Sequence, residues 1–134
     1  MIIKGNKHSD ARGVLSYNND FDAAQVKRIY TVENASMDII RGWQGHRIEQ
    51  RWFSVIDGSF EISVIKIDDW EKPSPKLPIS RYILNAETLD FLHVPAGHIT
   101  AIRSLEMKSK VLVMSDYRIG EVQDEHRYDL DFFD

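Results

Sequence analysis

The sequence has no cysteine, and this absence excludes disulfide bonds and thiolate chemistry. It also has no apolar run near the ~20 residues that a membrane-spanning helix needs. Lys and Arg (17) are fewer than Asp and Glu (21), and the net charge of −4 argues against bulk attraction to nucleic acid or to an anionic membrane. The opening residues are too few and then too polar for a signal peptide, so we expect a cytoplasmic protein.

What the sequence does contain is typical of one globular domain. Hydrophobic residues make up 43% and charged residues 28% of the 134 residues, which is enough to form a core and argues against disorder. No repeat has the period of a solenoid. We therefore predict a single domain over residues 1–134.

Alternating hydrophobic residues predict β-strands along most of the chain. Phe60, Ile62 and Val64 alternate with polar residues, which places one face of a strand in a core. Similar patterns occupy residues 26–32, 51–56, 89–94 and 110–114. Asp57-Gly58 separates two of these runs and predicts a hairpin, because both turn positions favour a positive φ.

The remaining segments give weaker signals. Helix patterns are short, and the three prolines of residues 70–78 predict an extended connector. The charged tail with scattered aromatics, residues 119–134, predicts a short helix or an arm that docks on a partner subunit. About eight short strands at roughly ten-residue spacing favour a small barrel or a sandwich, and on this pattern an immunoglobulin-like sandwich competes.

The densest run of polar residues is Ile40–Trp52, and a second polar group surrounds His98. Gln44 and His46 alternate onto one face of a strand, and the glycines on either side of Gln44 indicate backbone that bends or is approached closely. If this face lines a barrel, both side chains enter a cavity. Otherwise it is a solvated edge strand. His98 follows a Pro-x-Gly turn, which aims it either at a cavity mouth or at the surface.

A metal site is another interpretation of the same residues. His46, Glu49 and His98 are potential ligands for zinc or iron. On a regular strand, however, Glu49 would point to the face opposite His46 because three residues separate them. We therefore predict no metal ligands.

Six short motifs follow one another along the chain: Asp10-x-Arg12-Gly13, Lys27–Tyr30, Arg41-Gly42-Trp43-x-Gly45-His46, Asp57-Gly58, Val94-Pro95-x-Gly97-His98 and Ser115–Tyr117. In this order they resemble the cupin-type nucleotide-sugar isomerases and epimerases. The likeness is to the WxcM-like sugar 3,4-ketoisomerases and, more distantly, to the dTDP-4-dehydrorhamnose 3,5-epimerases. It covers about residues 8–118.

The resemblance implies a homodimeric, all-β cupin, that is, a double-stranded β-helix or jelly-roll barrel, with histidines inside the barrel and no cofactor or metal. It implies an isomerase or epimerase of a nucleotide-linked 4-keto-6-deoxy sugar, working by acid/base proton transfer in surface polysaccharide biosynthesis. The ketoisomerase motif Arg-Gly-x-His-x-His directs two histidines into the cavity. This sequence keeps the second as His46 and has Gln44 in place of the first.

That replacement shapes the predicted roles, because glutamine cannot take up a proton. His46 is therefore the predicted proton-transfer residue, with His98 or Tyr117 as its partner acid. Arg41 is the candidate for binding the pyrophosphate or a sugar oxygen, because a guanidinium matches phosphate oxygens in pairs. The predicted substrate-binding residues are Arg28, Tyr30, Arg41, Gln44 and Gln50.

Alternatives remain open on the residues alone. Gln44 equally fits a sugar-nucleotide-binding cupin without catalysis, and the possible ligand trio fits a metal-dependent cupin such as a dioxygenase. Trp43 and Trp52 either stack on a nucleobase or, as is more usual for tryptophan in a strand, belong to the core. The choice between 3,4-isomerisation and 3,5-epimerisation stays open, because both begin with the same proton abstraction.

Overall fold

The computed structural model describes residues 1–133, and within this range the regular structure consists of β-strands alone. No helix among these residues is of the length and apolarity that crossing a membrane requires. The strands are β1 (Ile2–Ile3), β2 (Asn6–Asp10), β3 (Gly13–Tyr17), β4 (Arg28–Val32), β5 (Ile40–His46), β6 (Arg51–Asp57), β7 (Ser59–Lys66), β8 (Ser80–Asn85), β9 (Phe91–Val94), β10 (His98–Ser104), β11 (Lys110–Ser115) and β12 (His126–Arg127).

Ten of the strands form two five-stranded antiparallel sheets, with the orders β1-β9-β6-β11-β4 and β12-β5-β10-β7-β8. Strands that follow one another in the chain mostly belong to opposite sheets, which is the jelly-roll arrangement of a cupin. The predicted all-β cupin fold is confirmed, and the immunoglobulin-like alternative is not what forms. The remaining two strands, β2 and β3, make a separate exposed hairpin.

The core lies between the two sheets, where the alternating strands place their apolar faces. Phe60, Ile62 and Val64 of β7 are buried there against Phe53 and Leu92 of the opposite sheet. The period-2 pattern therefore predicted the burial of this face. The opposite face, predicted to lie near water, is buried at Ser63 and Ile65 as well.

Trp43 and Trp52 are each only 5% exposed, and they pack in two further apolar clusters, Trp43 with Ile65 and Phe133 and Trp52 with Phe91 and Met114. Both are therefore buried packing residues, as predicted.

The hairpin predicted at Asp57-Gly58 was wrong. β6 and β7 flank these residues but lie in different sheets, so the turn is a corner between sheets. Gly58 does have the positive φ expected of it, at 68°. The same turn chemistry serves a hairpin or a corner, and only the long-range pairing distinguishes them.

Of the two forms predicted for the tail, the short helix was wrong, because the described part of the tail forms no helix. The tail packs on its own chain, and its docking on a partner subunit stays a prediction. β12 pairs with β5, placing His126 opposite Gly45 and Arg127 opposite Gln44. Farther along, Phe133 is buried edge-on against Trp43 at 5.5 Å between ring centroids. The tail thus becomes the edge of the sheet that carries the polar run.

Candidate active site

A cavity of about 220 Å³ opens between the two sheets, with an apolar floor and a polar rim. Its floor includes Phe53, Ile102 and Val113. Six of the predicted site residues line it: Arg28, Tyr30, Arg41, Gln44, His46 and His98. The polar face of β5 is therefore the inner face of a barrel.

An outer chamber of about 610 Å³ adjoins this cavity. The two share Arg28, Tyr30, Gln44, His46, Glu49 and Arg51, and much of the outer wall comes from the tail between Arg118 and His126. We refer to the smaller space as the inner cavity and to the larger one as the outer chamber.

A register shift brings polar side chains of β5 to one face, and a glycine lets the strand approach β10 closely. The shift against β10 pairs Gln44 with Thr100 but Arg41 with Ile102, so Arg41 and Gln44 both reach the inner cavity although they are three residues apart. Position 45 requires a glycine because β10 approaches it closely, and a Cβ there would collide with the backbone of His98. The close approach predicted for this glycine is confirmed.

His46 is buried at the end of β5, and both its ring nitrogens are engaged. Nη2 of Arg51 lies 3.0 Å from Nε2, and since a guanidinium only donates, Nε2 is the acceptor. Nδ1 therefore carries the proton and donates it to the backbone carbonyl of Asp124 at 3.0 Å. The two contacts assign the neutral tautomer with its lone pair on Nε2, on the Arg51 side of the ring.

Arg51 is a buried cation held between a carboxylate and the imidazole. Its Nη1 donates to Glu49 Oε1 at 2.9 Å, and the two side chains are only 8% and 10% exposed. Ser115 Oγ donates to the same carboxylate oxygen at 2.7 Å. Such a pair is stable in a dry interior only when its groups find further hydrogen bonds, and here they do.

Asp124 joins the tail to the turn that follows β5. Its carboxylate accepts backbone N–H groups from Arg47, Ile48 and Glu49 at 2.7–2.9 Å. Its side chain is 1% exposed. Three consecutive N–H donors bind an anion well, so this aspartate fixes both the turn and, through its carbonyl, the orientation of His46.

The pKa of His46 is lowered from its usual value, first because burial penalises the imidazolium and then because of the positive charge of Arg51. Glu49 and Asp124 raise the pKa of His46, but by less than burial and Arg51 lower it. His46 is therefore neutral at pH 7, the form in which an imidazole accepts a proton.

His98 faces His46 across the β5–β10 pairing and also lines the inner cavity. Its Nδ1 donates to the carbonyl of Pro95 at 2.9 Å. Within residues 1–133 the structure assigns Nε2 no hydrogen-bond partner. The turn before β10 thus leaves Nε2 available to a ligand.

The rim of the cavity is cationic and aromatic. The Arg28 guanidinium lies 4.7 Å from the centre of the Tyr30 ring, a cation–π contact that holds it on β4. Arg41 is exposed, and its Nε donates to Asn34 Oδ1 at 2.9 Å. Both guanidiniums keep further N–H groups for an anionic ligand.

Gln44 contacts the tail rather than a second imidazole. Its Nε2 donates to Glu125 Oε1 at 2.6 Å. Arg127 Nη2 donates to the same oxygen at 2.6 Å. An amide, a carboxylate and a guanidinium thus stand together where the family motif would place a histidine.

Two predicted site residues lie elsewhere. Gln50 bonds to the Asp116 carboxylate at 3.0 Å and to His93 Nε2 at 2.7 Å, and it does not line the inner cavity or the outer chamber. Tyr117 does not line them either, and its backbone N–H donates to Ser115 Oγ at 3.3 Å.

The expectation that Glu49 points away from His46 was wrong. β5 ends at His46, so strand alternation does not extend to Glu49, whose Oε2 lies 3.4 Å from His46 Nδ1. His46, Glu49 and Asp124 offer ligand atoms within 4.8 Å of one another. Yet the Asp124 oxygens already accept three backbone N–H groups, and Arg51 donates to both Glu49 and His46. All three side chains of this set are therefore already engaged within the protein.

The sequence interpretation missed Arg51, Asp124 and Glu125. Arg51 begins an alternating strand, and the pattern gave it no role in the site. The tail residues lie about 80 positions from β5, and pattern alone gave no means to pair them. The one available signal for a role of the tail was its cluster of charged residues among scattered aromatics.

Comparisons with known proteins agree with this architecture. The family model described as "FdtA: WxcM-like, C-terminal" matches residues 1–132. No curated protein matches the chain.

Solved structures share the fold at low sequence identity. A point mutant of the 3,4-ketoisomerase QdtA from Thermoanaerobacterium thermosaccharolyticum, in complex with TDP-4-keto-6-deoxyglucose, is 20% identical with a TM-score of 0.73, over 96% of this chain and 86% of that one. A 3,4-ketoisomerase from Helicobacter canadensis is 21% identical with a TM-score of 0.72, over 98% and 92%. The rmlC epimerase of Mycobacterium tuberculosis is 16% identical with a TM-score of 0.74, over 94% and 66%.

Proposed function

This chain belongs to the FdtA family, WxcM-like, C-terminal, and from that membership we propose that it is an isomerase or epimerase of a nucleotide-linked 4-keto-6-deoxy sugar. The observation that carries the proposal is His46, buried and neutral, in a cavity bordered by guanidinium groups. The sugar class follows the solved relative that holds TDP-4-keto-6-deoxyglucose. We assign the reaction to surface polysaccharide biosynthesis in the cytoplasm.

The two spaces suit the two halves of such a substrate. The inner cavity, with its apolar floor, takes the sugar ring, and the outer chamber takes the nucleoside diphosphate. Arg28 and Arg118 line the outer chamber and Arg41 lines the inner cavity, so the diphosphate meets a cation on several sides. Planar guanidiniums bind phosphate oxygens two at a time.

His46 removes the proton from the ring carbon next to the keto group in this proposal. The C–H electron pair moves into the ring, and the keto oxygen becomes an enolate oxygen. Arg51 now bonds to the lone pair that must accept this proton. The developing oxyanion is a stronger acceptor than a neutral imidazole, so the Arg51 N–H transfers its hydrogen bond to it as His46 becomes free to act.

His98 is the second proton-transfer group of the proposal. Among the described residues the Nε2 of His98 has no other partner, and the residue lies on the strand next to His46. His98 can therefore exchange a proton at a carbon of the sugar ring other than the one next to His46.

In 3,4-isomerisation the proton removed from C3 is replaced by one delivered to C4, while the C3 hydroxyl loses its proton to become the keto group and the C4 oxygen gains one. In epimerisation the proton returns to the same carbon from the opposite face. Either reaction rearranges the sugar internally and needs no external oxidant or reductant. Tyr117, outside both spaces, has no part in this scheme.

Deuterium exchange tests the proposal. Purified protein with TDP-4-keto-6-deoxyglucose in heavy water should place deuterium on the ring carbons next to the keto group and form an isomeric sugar. His46→Asn should lower the exchange rate by ~10²–10⁴, the usual contribution of a general base. Tyr117→Phe is the control and should exchange at the wild-type rate.

One alternative has an observation in its favour, namely Gln44 in the place of a histidine. A binding protein without catalysis would bind the nucleotide sugar in a calorimeter, leave it unlabelled in heavy water, and gain no exchange from Gln44→His. Gain of exchange by Gln44→His would instead identify an enzymatic site that has lost a base.

We also propose that the protein is a homodimer. The β2–β3 hairpin is exposed along nearly its whole length, with Val14 67% and Leu15 61% exposed. An isolated two-stranded hairpin is marginally stable in water, so this one requires a surface to pack on. A second copy of the chain provides that surface.

A further inference from the structure

The proposed function leaves the cluster at Gln44 without a role. Gln44 and Arg127 both donate to Oε1 of Glu125, each at 2.6 Å. Within residues 1–133, no partner is assigned to the other carboxylate oxygen, Oε2, and the side chain is 52% exposed. The carboxylate is thus held in position through one oxygen while the second can accept a hydrogen bond.

The cluster stands at the junction of the two spaces. Gln44 lines both the inner cavity and the outer chamber, whereas Glu125 lines only the outer chamber. The backbone supports this placement, because β12 pairs with β5 and sets Arg127 opposite Gln44. A ligand group that contacts Glu125 must therefore lie near the point where the sugar meets the diphosphate.

The chemistry of the substrate class limits what that group can be. The ring of a 4-keto-6-deoxyhexose carries its diphosphate on C1, its keto group on C4 and a methyl group as C6, which leaves hydroxyls only on C2 and C3. The C3 carbon reacts, so the C2 hydroxyl is the one that does not. It also adjoins C1, on the side of the ring that faces the outer chamber.

We propose, resting on the proposed function, that Glu125 is a specificity-determining residue that accepts a hydrogen bond from the C2 hydroxyl of the sugar. Gln44 and Arg127 position the carboxylate, and Gln44 in addition has a carbonyl oxygen and a second N–H to offer the ring. The enzyme therefore selects 2-hydroxy sugars over 2-deoxy sugars, because the latter leave the carboxylate without this partner.

The test compares two substrates and three variants. The probes are TDP-4-keto-6-deoxyglucose and its 2-deoxy counterpart, and the readouts are kcat and KM by deuterium exchange and Kd by calorimetry. Glu125→Ala should lower kcat/KM for the 2-hydroxy sugar by about tenfold to a hundredfold, mostly through KM, and leave the 2-deoxy sugar unchanged. Glu125→Gln, which keeps the shape of the side chain, should give a smaller loss for the same sugar.

Glu121→Ala is the matched control, because Glu121 lies on the same segment, carries the same charge and does not line the outer chamber. It should affect neither sugar. An equal loss for both sugars in Glu125→Ala would show that the residue merely holds the tail, and would overturn the inference. So would equal Kd values of the wild-type protein for the two sugars.

The Kd measurements by calorimetry test the role of Glu125 separately from the proposed enzymatic function. A wild-type protein that exchanges no deuterium yet binds the 2-hydroxy sugar more tightly, with the preference removed by Glu125→Ala, contradicts the enzyme and supports the recognition role. A wild-type protein that exchanges deuterium equally well with both sugars supports the enzyme and contradicts the role of Glu125.

Discussion

Arg51 neutralises the buried carboxylate of Glu49. Replacing it with methionine removes the cationic partner of Glu49 and leaves a charged carboxylate that is only 10% exposed and, within residues 1–133, hydrogen-bonded to Ser115 alone. We expect Arg51→Met to lower the free energy of unfolding by about 3–5 kcal/mol, as is usual when one member of a buried pair is lost. Urea denaturation measures this.

The double variant Glu49→Gln/Arg51→Met is the control for that change. Because it removes the orphaned charge as well, it should recover part of the lost stability. A double variant no more stable than Arg51→Met alone would mean that the carboxylate is not what makes the single change costly.

The lowered pKa of His46 makes stability depend on pH. Burial and then Arg51 keep the folded imidazole neutral, whereas in the unfolded chain it takes up a proton near its ordinary pKa of about 6.5. The unfolded state then binds more protons, so stability is complete above the ordinary value and falls as the pH falls below it. The slope from one histidine is at most ~1.4 kcal/mol per pH unit.

Urea unfolding of the wild type and of His46→Gln between pH 7.5 and 5 checks this prediction. The variant keeps an acceptor for Arg51 but has no titrating ring, so its stability should fall less steeply. His93, whose pKa is also lowered by burial, contributes the same slope to both proteins. Parallel curves would contradict the assignment to His46.

For single residues, the sequence predicted which strand side chains line the cavity better than it predicted which loop side chains do. Strand alternation correctly placed Gln44 with His46 and Arg28 with Tyr30 on shared faces. Arg41 was chosen for its guanidinium chemistry, and it reaches the cavity through the register shift in β5 rather than through alternation. Glu49 was misplaced because it lies just past the end of β5, where alternation ceases. Gln50 and Tyr117 flank strands at the barrel end, and their direction depends on turns that carry no period.

The β5–β10 pairing depends on a glycine at one position. A methyl group at Gly45 would meet the backbone oxygen of His98 and the backbone of Ile99. We expect Gly45→Ala to cost about 1–3 kcal/mol or more, because two strands must move apart to admit it. Since both histidines lie at this pairing, exchange activity should fall as well.

Gly42→Ala is the comparison, on the same strand. There the methyl group meets only the side chain of Leu130, which is 48% exposed and can turn away. Thermal unfolding should show a clearly smaller loss for Gly42→Ala. Equal losses would indicate that β5 tolerates no side chain at either glycine, whatever lies opposite.

The strands were predictable from the sequence where the alternation of neighbouring residues is enough to identify them. The strands at residues 26–32, 51–56 and 110–114 correspond to β4, β6 and β11 within two residues at each end. The corner at Asp57-Gly58 and the docking of β12 were not predictable, because partner strands are chosen by the whole core. A two-residue strand such as β12 has no period to detect.

The homodimer is the prediction that concerns the whole molecule. Val14→Asp/Leu15→Asp places two charges on the exposed hairpin and should convert a dimer into a monomer, because like charges would be brought together at the interface. Light scattering on a size-exclusion column measures the mass. Met107→Asp is the control, since Met107 is 79% exposed in a loop outside the hairpin.

A wild-type protein of monomer mass would contradict the dimer outright. A dimer that survives both charges on the hairpin would place the interface on another face, of which the edge strand β4, with Ile29 65% exposed, is the next candidate.

The distance along the chain between the two sides of the site has a consequence for folding kinetics. His46 meets Asp124 across 78 residues, Trp43 meets Leu130 across 87, and Ser115 meets Glu49 across 66. Closing loops of this length is slow, so refolding should take milliseconds to seconds, and the inner cavity with its outer chamber should be among the last parts to form. In stopped-flow refolding, recovery of turnover should then lag behind the burial of the core tryptophans.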